Sequence, residues 1–176
     1  MLQYHFFIRR TAFNDIDTLQ KISTDTFIET YAAYNTDEDM RLHVAEQFNR
    51  DRMKDELSSK ENYFFIAFHE NEPAGYIKLR TAKQPPELEG LKHIELERIY
   101  ALKQFQGTGL GKLLIQQCVD TAIENIYEVL WLGVWKQNEK AIQFYTKCGF
   151  TIFGEQVFTL GTDDQSDWLM KKELIY

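Results

Sequence analysis

Residues 104–111 read Gln-Phe-Gln-Gly-Thr-Gly-Leu-Gly and run directly into Lys-Leu-Leu-Ile-Gln-Gln-Cys. Gly107, Gly109 and Gly111 therefore alternate at the mouth of an amphipathic helix. Each glycine in a helix costs about 1 kcal/mol against alanine, so this segment has a use for bare backbone. Successive main-chain N–H groups at a helix N-terminus attract an anion, and small side chains let a diphosphate come close. Two phosphate loops are excluded by counting. A G-x-G-x-x-G fingerprint needs glycine where Lys112 stands, and a P-loop needs Ser or Thr where Leu113 stands. A plain turn and a pyrophosphate cradle of another kind both remain open. Upstream, the alternation in 93–102 puts Glu95, Glu97, Ile99 and Ala101 on one strand face, with Ile94, Leu96 and Arg98 on the other.

The elements that must position these residues follow from periodicity. Residues 4–10 are aromatic and β-branched, an opening strand. Asp15 can cap a helix whose stripe is Ile16, Leu19, Ile22 and Phe27. Thr36 or Asp37 opens a second helix running to about Ser59, with acids in its first turn. Residues 63–80 hold two apolar runs around a polar Asn-Glu-Pro turn, a hairpin. The only Pro/Gly-dense stretch, 84–90, is a loop. Leu110, Leu114, Cys118 and Ala122, with Leu113 beside them, mark a helix to about Ile126; 129–134 is a buried strand. Residues 138–150 form a short helix ended by Gly149, and two strands flank the acidic loop 161–166. The order is strand, two helices, three strands, helix, strand, helix, two strands. It predicts one α/β (α+β) domain over 1–176, a mixed sheet of about seven strands with four helices and a strand–helix–strand crossover around the glycines.

Composition narrows the function. The net charge of -7 and pI near 5.1 argue against a nucleic-acid partner and suit a cationic small substrate, although mild acidity is also commonplace. Cys118 and Cys148 form no CxxC pair, and the four histidines have no metal-ligand spacing, so no metal is expected. No apolar stretch reaches membrane-spanning length, and the N-terminus lacks a signal-peptide pattern. A reducing cytoplasm is the expected setting.

Gln106-Gly107-Thr108-Gly109-Leu110-Gly111, following the strand Leu-Glu-Arg-Ile-Tyr-Ala-Leu, resembles the acetyl-CoA signature of the GNAT superfamily, Q/R-x-x-G-x-G/A. Asn138, Ala141, Phe144, Tyr145, Gly149 and Phe150 resemble its second cofactor motif, N-x-x-A-x-x-F-Y-x-x-x-G-F. Longer stretches, such as LGVWKQNEKAIQFYTKCGF and FTLGTDDQSDWLM, are similar to bacterial spermidine/spermine N-acetyltransferases of the PaiA type. The resemblance implies the acyl-CoA N-acyltransferase fold over nearly the whole chain, with strands splaying beside the third helix to leave a cleft for acetyl-CoA. Main-chain groups of Ile99, Tyr100 and Ala101 and the loop Gln106, Gly107, Thr108, Gly109, Leu110, Gly111 and Lys112 would hold the cofactor. Asn138 would meet the pantetheine arm, though an asparagine there is also a good N-cap by itself. Tyr145 would give a proton to the leaving thiolate; otherwise it is an aromatic core residue beside Phe144. Glu97 would take the proton of the attacking amine, directly or through water, with Glu95 relaying or substituting. Otherwise both acids merely pair with Arg98, Lys92 or other cations.

The acceptor side in this superfamily is built by the first helices and later strands, which nominates Glu29, Tyr31 and Tyr34 for a polycation by charge pairing and cation–π contact. Asp37, Glu38 and Asp39 are better read as complements to a helix dipole, and Asp163, Asp164 and Asp167 as a solvated turn. The expected activity is transfer of acetyl from acetyl-CoA to a primary amine, with a polyamine as acceptor. The rivals are a protein N-terminal acetyltransferase of the ribosomal-protein type and a CoA-binding regulatory module without catalysis. A homodimer is common in the superfamily, but nothing in the chain specifies one.

Overall fold

The stretch expected to form a second helix up to Ser59 folds as two. Asn49 is the reason: its Nδ2 donates to the carbonyls of Ala45 and Glu46, while its Oδ1 accepts from the Arg52 amide. One side chain thus closes α2 (Asp37–Gln47) and opens α3 (Arg50–Ser58), so the described residues hold five α-helices instead of four. The computed structural model describes residues 4–160 and 163–174, with main chain alone at 158–160 and 163–165. Its remaining elements are β1 (Phe6–Arg10), α1 (Ile16–Tyr31), β2 (Asn62–His69), β3 (Glu72–Arg80), β4 (His93–Ala101), α4 (Leu110–Glu124), β5 (Val129–Trp135), α5 (Glu139–Lys147), β6 (Thr151–Leu160) and β7 (Asp163–Glu173).

The strands form one mixed seven-stranded sheet in the order β1-β2-β3-β4-β5-β7-β6. β4 and β5 run parallel, as the crossover through α4 requires, and β7 lies antiparallel to both β5 and β6. The chain forms two compact units: the part up to Lys78 with Arg98–Leu114, and Leu79–Glu97 with the part from Ile115 on.

In the first unit, Ile16, Leu19, Ile22 and Phe27 of α1 join Met40, Phe48, Met53, Phe64, Ile66 and Tyr76 in one apolar cluster. Thr36 is the N-cap of α2, its hydroxyl accepting from the Asp39 amide and donating to the Asp39 carboxylate. Asp15 behaves differently from expectation. It precedes α1 without capping it, accepting instead from the Ala12 amide and from both Nη atoms of Arg9. That guanidinium holds the Asp15 carboxyl below its ordinary range. On α3, Glu56 accepts two bonds from Arg98 and lies 3.1 Å from Lys78 Nζ.

In the second unit, Leu88, Val129, Trp131 and Leu169 form the apolar cluster, with Phe153 packed against it. The expected 84–90 loop is pinned to the sheet by a polar chain: Trp131 Nε1 donates to His93 Nδ1, and His93 Nε2 donates to Gln84 Oε1. Burial holds this imidazole below its ordinary pKa. On α4, Leu110, Leu114, Cys118 and Ala122 are buried as expected, but Leu113 is exposed and Ile115 takes its place in the stripe. The acidic stretch also differs. β7 already begins at Asp163, so Asp167 is a strand residue paired with Trp135 and Gln156; residues 161–162 lie outside the described residues.

Candidate active site

The glycine loop leaves its backbone open. After β4, the short turn Lys103–Phe105 ends with Gln106, whose side chain donates back to the Ala101 carbonyl at 3.3 Å. Thr108 Oγ1 donates to the Phe105 carbonyl at 2.6 Å, fixing the loop from within. Gly107 and Gly109 have φ of 78° and 97°, where side chains are strained, and no atom lies within 4 Å of a Cβ built on either. The first helical bond of α4 is accepted by the Gly109 carbonyl. Among the described residues, no main-chain carbonyl accepts from the amides of Gly107 to Gly111. These are the orphan donors of a helix start, on residues without bulk.

Its approach is held by residues expected on the acceptor side. Glu29 Oε2 accepts from the Lys103 amide at 2.7 Å, and Tyr31 shares a 3.1 Å hydroxyl–hydroxyl bond with Tyr100. Tyr34 stands 76% exposed in the turn after α1. Ile99, Tyr100 and Ala101 are half-buried on β4, Leu110 is fully buried, and Lys112 points into solvent from the first turn of α4. A residue the sequence reading passed over shapes this strand. A Cβ on Gly75 of β3 would lie 2.6 Å from the Tyr100 carbonyl oxygen, so only glycine lets that backbone approach. A glycine in a strand interior was the available signal.

In the second unit, Arg80 divides its guanidinium between the two candidate bases. Nε donates to Glu95 Oε2 at 2.5 Å and Nη1 to Glu97 Oε1 at 2.6 Å. Arg80 is thus one of the other cations that the alternative reading allowed, while the two named there bond elsewhere: Arg98 to Glu56, and Lys92 Nζ to the Asn125 carbonyl. Arg80 was not nominated from sequence, because pairing it with β4 requires a strand register that no local pattern contains. The β4–β5 register runs from His93↔Val129 to Glu95↔Trp131 and stops there, so Leu96 and Glu97 lie where the two strands have ceased to pair.

The second motif is a set of helix caps around a tyrosine. Asn138 Oδ1 accepts from the Ala141 amide at 3.1 Å, the N-cap of α5. At the other end Gly149 takes φ of 88°, its amide bonds the Thr146 carbonyl, and the Phe150 amide bonds the Tyr145 carbonyl. That is a Schellman cap, completed by the ring of Phe150 packed edge-on against Tyr145 at 5.9 Å. Tyr145 is half-buried, with Phe150 packed edge-on against its ring and Phe144 beside it.

A model of the acetyltransferase (GNAT) family matches residues 18–150. The chain belongs to the GNAT family. It is an acetyltransferase, and the cosubstrate of the family is acetyl-CoA. It is 38% identical over 161 residues to an uncharacterized N-acetyltransferase of Lactobacillus delbrueckii subsp. lactis, covering 92% of this chain and 93% of that one. It is 23% identical over 170 residues to a spermidine N(1)-acetyltransferase of Thermoplasma acidophilum, covering 94% and 96%. The GNAT fold is shared with the crystal structure of a PaiA N-acetyltransferase from Thermoplasma acidophilum in complex with coenzyme A. The TM-score is 0.77 at 22% identity, over 96% of this chain and 99% of that one. Among the described residues no cluster of His, Cys, Asp or Glu could hold a metal ion, and no helix is long and apolar enough to cross a membrane.

Proposed function

We propose that this GNAT enzyme acetylates primary alkylamines, with polyamines such as spermidine as its acceptors. The observation that carries the reading is the pair Glu95–Glu97, held on one strand face by a single guanidinium where β4 stops pairing with β5. Similarity to a spermidine N(1)-acetyltransferase and the net charge of -7 support the same class of acceptor.

The residues present fit the cosubstrate. The open amides of Gly107 to Gly111, with clear space over Gly107 and Gly109, suit a diphosphate, and the main chain of Ile99, Tyr100 and Ala101 suits an extended pantetheine. Asn138 uses Oδ1 for the cap and keeps Nδ2 as a donor for that arm. When bound, acetyl-CoA supplies a thioester whose carbonyl carbon an amine attacks. The protein's first task is the proton on that amine. An alkylammonium of pKa about 10.4 lies roughly 4.6 kcal/mol from its neutral form at pH 7. Glu97 takes this proton, directly or through a water, while Arg80 fixes the carboxylate and Glu95 stands next along the strand to relay it. Tyr145 supplies the second proton. A phenol with a pKa of about 10 is protonated at neutral pH and can donate to a departing sulfur.

The test is release of free CoA thiol from acetyl-CoA over a panel of spermidine, spermine, butylamine and a peptide with a free N-terminus. Turnover with the polyamines well above the peptide is expected. Turnover with the peptide alone would transfer the enzyme to the protein N-terminal class, and none with any amine would leave a CoA-binding module.

A further inference from the structure

On β5, Trp131, Gly133 and Trp135 share one face of the strand. Trp131 is fully buried and Trp135 half-buried, yet Gly133 between them is exposed. The face therefore has a notch where the side chain is missing. The notch is polar. A Cβ on Gly133 would lie 2.8 Å from Gln156 Nε2, too close for a methyl, and 3.5 Å from Asp167 Oδ2, so the Gln156 side chain of β6 leans into the notch and Asp167 of β7 borders it. Gln156 Nε2 and Asp167 Oδ2 are themselves 3.5 Å apart, the outer limit of a hydrogen bond. Burial pushes the Asp167 carboxyl above its ordinary range, against the opposing pull of Gln156 and Lys83.

The neighbouring cation tells what the notch recognises. Lys83 Nζ donates to Gln156 Oε1 at 2.5 Å and lies 5.5 Å over the ring of Trp131. A primary alkylammonium belonging to the chain already uses the carbonyl, the aromatic face and the field of the carboxylate. Those are the recognition elements for an alkylammonium: an acceptor oxygen, a π face and a counter-ion.

We propose that the Gly133 notch seats the distal ammonium of a di- or polyamine acceptor, with Asp167 as its counter-ion and Gln156 Oε1 as its acceptor, in exchange for the ammonium of Lys83. This rests on the polyamine reading above and deepens it. A monoamine has no second ammonium to place there, so the notch selects among acceptors and takes no part in the transfer. Asp167 and Lys83 then act in opposite directions, one attracting the incoming cation and the other competing with it.

The experiment compares kcat/KM for spermidine with kcat/KM for butylamine, and titrates spermidine calorimetrically into the CoA-bound protein. Asp167→Asn is expected to lower the spermidine-to-butylamine ratio about tenfold, the scale of one charge-assisted hydrogen bond. Lys83→Met, which keeps the alkyl stem, is expected to raise it severalfold. A ratio unmoved by either variant, or moved in the same direction by both, would overturn the proposal. If spermidine binds in an Asp167-dependent way but is not acetylated, the notch stands and the polyamine acetylation reading falls. If it is acetylated with an Asp167-independent ratio, the reverse holds. Absence of spermidine binding to the wild-type protein overturns both.

Discussion

The loop from Gln106 to Gly111 and the segment from Asn138 to Phe150 both adjoin short helix ends, yet they treat the backbone differently. The first presents amides that no main-chain carbonyl of the described residues accepts. The second uses more of its donors: Asn138 takes the Ala141 amide, and Gly149 and Phe150 return theirs to Thr146 and Tyr145, which leaves the Glu139 and Lys140 amides without a main-chain acceptor among the described residues. Open donors are a binding surface, whereas satisfied donors are a scaffold. The second motif therefore spends more of its polar groups on its own caps. Its asparagine, glycine and phenylalanine terminate a nine-residue helix, and Phe150 packs against Tyr145 in its last turn.

Substitutions in the two segments should separate accordingly. The largest effect belongs to the group the scaffold presents. Tyr145→Phe keeps the ring against Phe150 and removes only the hydroxyl, so kcat should fall about 100-fold or more. The Kd for acetyl-CoA should stay within about twofold, since no affinity is ascribed to that hydroxyl. Stopped-flow or steady-state thiol release with calorimetry reads both, and undiminished turnover would return Tyr145 to a packing role. Next is Gly109→Val, which forces a β-branched side chain to φ of 97°. Strain of about 1–3 kcal/mol must be relieved by moving the loop, so CoA affinity should drop about tenfold. Gly149→Ala strains a similar angle and brings a Cβ within 2.7 Å of Lys172 Nζ, itself bonded to the Cys148 carbonyl. Its cost of about 1–2 kcal/mol should appear in the melting temperature, with little change in CoA binding.

How far the sequence discloses this arrangement depends on whether the physics is local. The α1 stripe, the hairpin, the Thr36 cap and the Gly149 stop are decided within a few residues and are found where the pattern puts them, whereas in α4 Ile115 replaces Leu113. Asn49 illustrates the limit. An asparagine in a polar stretch fits a helix surface or a cap equally well, and the choice rests on which amides reach it. The acids near the C-terminus mislead for a related reason. Asp163, Asp164 and Asp167 look like a turn by composition, but pairing of β7 with β5 and β6 draws Asp167 into a strand beside Gly133. Partners set by register are invisible locally: Arg80 for Glu95 and Glu97, Gln156 for Asp167 and Lys83. Gly75 and Gly133 could have been flagged as strand glycines with a purpose. What comes close to each, a carbonyl in one case and an amide side chain in the other, only the fold supplies.

The smallest effect is the sharpest test of the contrast between open and closed amides. Asn138→Ala removes an exposed N-cap whose Oδ1 accepts from Ala141 at 3.1 Å. Loss of such a cap costs about 1 kcal/mol, and Asn138→Ser should restore most of it because a serine hydroxyl reaches the same amide. If the residue serves the helix first, thermal denaturation will rank the variants Asn, Ser, Ala. The CoA affinity of Asn138→Ala will then fall by less than that of Gly109→Val. A tenfold loss of CoA affinity without any change in melting temperature would reverse the assignment. The side-chain amide would then be a ligand contact, and the helix would need no cap from it.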